Sequence, residues 1–185
     1  MENKEMFISL LKKVQRPGIE ALIEYLENSD FFDAPASTKY HLSVPGGLLQ
    51  HSLNVYFNLK KMCNLNEESI ILVSLLHDVC KANFYKEILK NQKNDNGEWE
   101  QVKSYIIDEL FPCGHGEKSV IIIQKYIDLI PSEILAIRWH MGGFVPKEEQ
   151  KSVSKTFNSC ELAVWLHLAD LKATYIDEIE RSNYV

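Results

Sequence analysis

The apolar run Ile70-Ile71-Leu72-Val73-Ser74-Leu75-Leu76 ends in the dipeptide His77-Asp78. Burying an unpaired carboxylate is costly, and coordination of a cation removes much of that cost. Two adjacent metal-ligand side chains at the end of a hydrophobic segment therefore point to a cation. His51 precedes the pair, His115 and His140 follow it, and Asp170 closes the series. Imidazoles and carboxylates in this mix suit Mn, Fe, Co, Ni or Zn.

Adjacent helical residues lie about 100° apart, so His77 and Asp78 can bracket one ion or reach two. Lys81 is i+4 from His77 and i+3 from Asp78, and it shares their side if the helix runs on. Asp170 sits in Val164-Trp165-Leu166-His167-Leu168-Ala169-Asp170-Leu171, among mainly apolar neighbours, where a carboxylate needs a partner.

The elements that must carry these residues read mostly as helix. Phe7, Leu10, Leu11 and Val14 form one stripe, broken by Pro17-Gly18, and Ile19, Leu22, Ile23 and Leu26 form the next. Residues 30–47 hold Pro35, Pro45, Gly46 and Gly47 and read as loop. Helices are expected from about Leu48 to Cys63 and from about Glu67 to Cys80. Asp95-Asn96-Gly97 is a turn signal between Phe84–Gln92 and Trp99–Ile107, so a β-hairpin is expected at about 84–107. On that hairpin, Trp99 and Tyr105 read as packing residues rather than a base-stacking platform. Helices resume at His115–Ile130, Ser132–His140 and Ser154–Arg181, with residues 141–153 as a loop. No repeat or linker divides the chain, which is expected to be one domain over residues 1–185.

The 185 residues are enough for one real core, and 45% hydrophobic content argues against disorder. Lys plus Arg number 20 and Asp plus Glu 26, a net charge of −6. Long nucleic acid is a poor partner for such a chain, although a metal site can still bring a nucleotide to it. Cys63, Cys80, Cys113 and Cys160 form no CxxC pair, and reduced, inert thiols are expected. The start lacks a signal-peptide pattern and no apolar run approaches membrane-spanning length, so a cytoplasmic protein with no membrane association is expected. No feature of the residues selects an oligomeric state.

In order along the chain stand Pro35-Ala36 through His41, Gly46-Gly47-Leu48-Leu49-Gln50-His51-Ser52, His77-Asp78-Val79-Cys80-Lys81, Gly114-His115-Gly116, Trp139-His140-Met141-Gly142 and Leu166-His167-Leu168-Ala169-Asp170. With these pieces the chain resembles the HD-domain metal-dependent phosphohydrolase superfamily, from about Pro35 to Glu178. The resemblance implies an all-α helical bundle with the metal site between helices. It implies that His51, His77, Asp78 and Asp170 hold a first divalent ion. His115 and His140 match the histidines that the two-metal branch adds, with Asp78 bridging both ions. Met141 stands where some two-metal relatives carry a second His, so the second ion is expected to bind more weakly. Cys80 replaces a frequent Gly without expected loss of chemistry.

Asp78, Lys81 and Lys118 are the candidate catalytic residues, the two lysines as phosphate contacts rather than solvated charges. His167, i−3 from Asp170, is expected to be structural or to support a ligand. His41 is read as a loop residue that could reach a phosphate. Two ions 3.5–4 Å apart would supply an activated hydroxide and a clamp on the phosphoryl oxygens. The expected activity is hydrolysis of nucleotides or other small phosphate esters through a metal-bound hydroxide. Three alternatives stand beside it. A 3′→5′ exonuclease-like phosphodiesterase shares the Gly-Gly-Leu-Leu-x-His and Leu-His-x-Ala-Asp segments, but those relatives carry an added OB-fold for which this chain has no room. A di-iron oxygenase of the same fold uses the same ligand set. A degenerate nucleotide-sensing module is disfavoured because every ligand position is filled. The HD-GYP branch is disfavoured because no Gly-Tyr-Pro follows His140.

Overall fold

The most apolar helix takes the centre. In the computed structural model, which describes residues 2–94 and 96–179, α4 (Glu67–Leu76) is buried from Ser69 to its end. A helix that is hydrophobic all round belongs inside a bundle. It starts at Asn66, whose side chain accepts from Ser69 N at 3.0 Å, satisfying one of the free amides of the first turn. Leu72 and Leu75 are fully buried, and truncating such a leucine costs about 2–5 kcal/mol.

Around α4 pack α1 (Glu2–Leu11), α3 (Gly47–Met62) and α6 (Pro131–Trp139), while α8 (Glu161–Lys172) lies against both α3 and α6. The outer helices are α2 (Ile19–Asn28), α5 (His115–Gln124) and α7 (Gln150–Ser159). One hydrophobic core runs from Phe7 in α1 to Ala173 beyond α8.

Two glycines set the approach of helices that carry site residues. A Cβ on Gly47 would strike the Leu42 carbonyl, so Gly47 lets the loop before α3 fold tightly over its start. A Cβ on Gly116 would strike the Arg138 carbonyl, so Gly116 brings the start of α5 against the end of α6.

The hairpin consists of β1 (Tyr85–Lys93) and β2 (Trp99–Ile107), antiparallel with Tyr85 opposite Ile107 and Lys93 opposite Trp99. Its tip is closed by Asn94, whose carbonyl accepts from Gly97 N at 2.9 Å. Asp95 of the expected turn lies outside the described residues. Most of both strands is exposed. Trp99 is 71% exposed, with Lys93 Nζ 5.3 Å from its ring centroid, and does not serve as a hairpin core. Among the described residues no helix is long and apolar enough to cross a membrane.

Several boundaries differ from expectation: α5 ends at Gln124 instead of Ile130, and the expected loop 141–153 contains a 3-10 turn at Lys147–Glu149 and the start of α7 at Gln150. The helix expected to reach Cys80 stops at Leu76. His77 is its last residue in helical geometry, Asp78 sits at φ −106°, ψ 17°, and Val79–Lys81 form a 3-10 turn. The chain tightens there, so Lys81 meets Asp78 across a 3-10 turn rather than along a continuing helix. The expected helix 154–181 is two helices, α7 and α8, broken at extended Cys160. Ser159 Oγ turns back to the Lys155 carbonyl at 3.0 Å, the local competition that makes serine a poor helix interior. After α8 the chain makes a π-turn over Ala173–Asp177. Arg181 of the expected helix lies outside the described residues.

Candidate metal centre

Five helices bring the chemistry together. His51 projects from the second turn of α3, and Asp170 from the last turn of α8. His77 and His140 occupy equivalent places, one residue past the ends of α4 and α6. Each donates Nδ1–H to the carbonyl three residues back, His77 to Ser74 at 2.9 Å and His140 to Ile137 at 2.7 Å. A helix end has carbonyls without intrahelical partners, and a histidine just past it satisfies one while aiming Nε2 away. His115 opens α5, beside the α6 end that Gly116 admits.

The Nε2 atoms converge. His51 Nε2 lies 3.2 Å from His77 Nε2, 3.3 Å from Asp170 Oδ1 and 3.8 Å from Asp78 Oδ2. His115 Nε2 lies 2.6 Å, and His140 Nε2 3.5 Å, from Asp78 Oδ1. Among the described residues four sets of donor atoms fall within 4.8 Å of one another: His51-His77-Asp78, His77-His140-Asp170, Asp78-His115-His140 and, adjoining them through His51, His41-His51-Glu178. His51, His77, Asp78 and His140 are buried.

Burial opposes charge on every group here, and the neighbours decide the outcome. Burial pushes Asp78 up, but Lys81, His77 and His115 together hold it well below the usual carboxylate range. Asp170 is likewise raised by burial and brought lower on balance, chiefly by its hydrogen bond to His51. His51 is disfavoured as a cation by burial, yet Asp170 and Glu178 raise its pKa to about 9. His77 is lowered to about 4 by burial, with its cationic neighbours His140 and His51 adding to the effect. Without a cation, a proton on His51 holds facing acceptors together. A divalent ion fits the same place, because metal binding replaces such protons. Nitrogen and oxygen donors about 3 Å apart also match the edges of a coordination shell with bonds near 2.1 Å.

All six residues expected as ligands lie in this cluster. Lys81 joins it, with Nζ 2.6 Å from Asp78 Oδ2 and 2.7 Å from the Ala36 carbonyl. Lys118 does not. Its Nζ pairs with Glu109 at 2.6 Å and lies 5.0 Å from the centroid of the Phe84 ring. His167 donates Nδ1–H to the His140 carbonyl at 2.6 Å, supporting the chain at a candidate ligand. Cys80 Sγ lies 3.1 Å from His115 Nδ1, and burial, then the Asp78 charge, pushes its thiol up to about 12. All four cysteines are free.

His41 does more than shape its loop. Its Nδ1 lies 2.6 Å from Glu178 Oε2. Glu178 is the residue that sequence reasoning missed. Its carboxylate meets His51 Nδ1 at 3.1 Å from both oxygens and accepts from Asn54 Nδ2 at 2.9 Å. No local motif marks it, since its partners lie 127 and 124 positions away. Tyr85 was also missed: its hydroxyl donates to the Ala36 carbonyl at 3.3 Å, beside Lys81.

The chain matches the family model of the HD domain over residues 48–174, a span that contains all six clustered histidines and aspartates. No curated protein and no solved structure gives a significant match. The match covers well over half of the chain and ends two residues past α8. With the His-Asp pair at its centre, the chain belongs to the HD-domain superfamily of metal-dependent phosphohydrolases.

Proposed function

We propose that this chain hydrolyses small phosphate esters, nucleotides first. In this reading His51, His77, Asp78 and Asp170 hold one divalent cation from the group Mn, Fe, Co, Ni or Zn. His115 and His140 add a more weakly held second one that shares Asp78, and residues 1–185 act as one HD-type unit. The observation that carries the reading is an excess of lone pairs: the Nδ1–H groups of His51, His77 and His140 are engaged elsewhere, so their Nε2 atoms face the two aspartates.

A divalent cation held there would supply an activated water and draw charge from phosphoryl oxygens. The chain's own groups do the rest. Lys81 presents an ammonium beside Asp78 and offsets charge that grows on the phosphoryl oxygens in the transition state. Lys118 stands nearby, on the first turn of α5, and offers a second ammonium once an anionic substrate competes with Glu109. At the base of the hairpin the Phe84 ring lies beside Lys118 and the Tyr85 hydroxyl shares the Ala36 carbonyl with Lys81, and an aromatic face next to a cation suits a base attached to a phosphate. The hairpin base thus forms one wall of the substrate site.

The test starts from protein purified without added metal and analysed for its elements. It is then loaded with Mn, Co or Ni and given nucleoside monophosphates, cyclic nucleotides, aryl phosphates and short oligonucleotides without oxygen. Hydrolysis of the small esters is expected. Preferential degradation of oligonucleotides would favour the exonuclease-like reading. Absence of any hydrolysis, with oxygen consumed on an organic substrate, would overturn the phosphohydrolase in favour of an oxygenase.

A further inference from the structure

Resting on the metal centre of that reading, we propose that Glu178 is its positioning residue, fixing the ring of His51 so that Nε2 is the atom offered to the cation. The four candidate histidine ligands are held in three different ways. His77 and His140 donate Nδ1–H to neutral backbone carbonyls of their own helices. Among the described residues the partner of His115 Nδ1 is the sulfur of Cys80, at 3.1 Å. His51 alone is backed by a carboxylate, with both oxygens of Glu178 3.1 Å from its Nδ1.

The carboxylate is built in, not incidental. The Glu178 side chain is 1% exposed, and Asn54, one turn after His51 on α3, donates to it at 2.9 Å. His41 approaches it at 2.6 Å from the loop before α3, and the ring centroids of His41 and His51 lie 4.9 Å apart. An acceptor at Nδ1 leaves the lone pair on Nε2, and a charged acceptor raises the basicity of the ring toward a metal.

Glu178 lies beyond the residues that match the HD family. The chain reaches it through the π-turn Ala173–Asp177, which follows α8 and Asp170 directly. A π-turn carries one residue more than the α-helical turn it replaces, and such turns concentrate at functional sites. Here the extra residue brings Glu178 round to the side of α3 that Asp170 also faces. Asp177, on the same turn, is used differently: it accepts from Lys172 at 2.6 Å and from Asn58 at 2.8 Å. Asp177 therefore reports on the integrity of the turn, and Glu178 on the ligand.

Zn affinity is measured by calorimetry for the 185-residue wild-type chain, Glu178→Ala, the near-isosteric Glu178→Gln and Asp177→Asn. Nitrogen-15 spectra of the Zn-loaded proteins follow the His51 ring. Glu178→Ala is expected to weaken Zn binding by about 10- to 100-fold. Glu178→Gln, whose amide oxygen can still accept, should lose less, and Asp177→Asn should stay near wild type. The protected His51 Nδ1–H signal should disappear in Glu178→Ala while those of His77 and His140 persist. An unchanged affinity in Glu178→Ala, or an equal loss in Asp177→Asn, would overturn the proposal. Phosphate-ester hydrolysis with an unchanged Glu178→Ala affinity would remove this proposal alone. Zn binding that depends on Glu178, without hydrolysis of any ester, would remove the phosphohydrolase and leave Glu178 in its role. A wild type that binds no divalent ion would remove both.

Discussion

Two clusters of buried carboxylate stand at opposite sides of α4. Past its end, Asp78 and Asp170 meet the imidazoles. At its start, Glu133 of α6 is fully buried and meets Arg16 and Ser69. Asp78 and Glu133 are both buried and Asp170 is partly so, but the balance of donors and acceptors differs between the two places. Glu133 Oε1 accepts from Arg16 Nη2 and Ser69 Oγ, each at 2.6 Å, and Oε2 accepts from Arg16 Nη1 at 2.6 Å and Ile130 N at 3.0 Å. Four donors serve two oxygens, and nothing is left for a ligand. In the His/Asp cluster Lys81 is the single ammonium against two carboxylates and a set of ring nitrogens that face one another. A buried charge thus marks a place of chemistry when its partners leave lone pairs over, and a structural tie when they do not.

Asp78→Ala strikes this contrast hardest. It should abolish binding of both cations and lower kcat/KM by on the order of a thousandfold or more, while the metal-free protein still folds at some cost in stability, because Lys81 loses its partner. Elemental analysis and denaturant unfolding of one preparation check both halves, and full metal occupancy would defeat the assignment of Asp78.

Glu133→Ala should do the reverse. Breaking a buried pair leaves Arg16 uncompensated and costs about 3–5 kcal/mol of stability, with metal stoichiometry unchanged. The pH dependence follows from the same pair. Burial raises the Glu133 carboxyl, but its bonds to Arg16, Ser69 and the Ile130 amide bring it below its ordinary value. A native pKa below the unfolded one gives stability that is fully present above the unfolded value of about 4.3 and is lost as pH falls through the native value. Unfolding midpoints from pH 6 downward should therefore fall more steeply for wild type than for Glu133→Gln. Parallel curves would show that Glu133 is not a stabilising partner.

Lys81→Ala should lower kcat by about 10- to 100-fold while the cations stay bound. Loss of metal in this variant would make Lys81 a support for Asp78 instead of a group that meets the substrate. The smallest effect on the fold is expected from replacing residues 86–106 by a short Gly-Ser turn that keeps Tyr85. Little of the hairpin is buried, so the unfolding midpoint should hardly move, whereas KM and the ranking of substrates should change. Unchanged kinetics would remove the hairpin from the substrate site.

The helical bundle and its hairpin were legible because apolar spacing and turn residues act locally. The strongest signals lay in the longest apolar stretch, around Leu72, and in the Gly97 turn. Boundaries were less legible where the chain changes pitch. The 3-10 turn at Val79–Lys81, the break at Cys160 and the π-turn before Glu178 depend on what packs against them, and their residues carry no period of their own.

Residue type and order along the chain were sufficient to single out His51, His77, Asp78, His115, His140 and Asp170, because imidazole and carboxylate carry their chemistry wherever they stand. Folding decided which acidic residues serve that chemistry. Glu133, Glu109 and Glu178 are three glutamates among the 26 acidic residues of the chain, with nothing in their neighbours to separate them. The fold pairs the first with Arg16, 117 positions away, sets the second on Lys118, and carries the third round a π-turn to His51. The first and third of these pairs are so distant in sequence that they meet only through the packing of whole helices, and the fold makes one carboxylate a tie, one a counter-charge at the rim, and one the support of a candidate ligand.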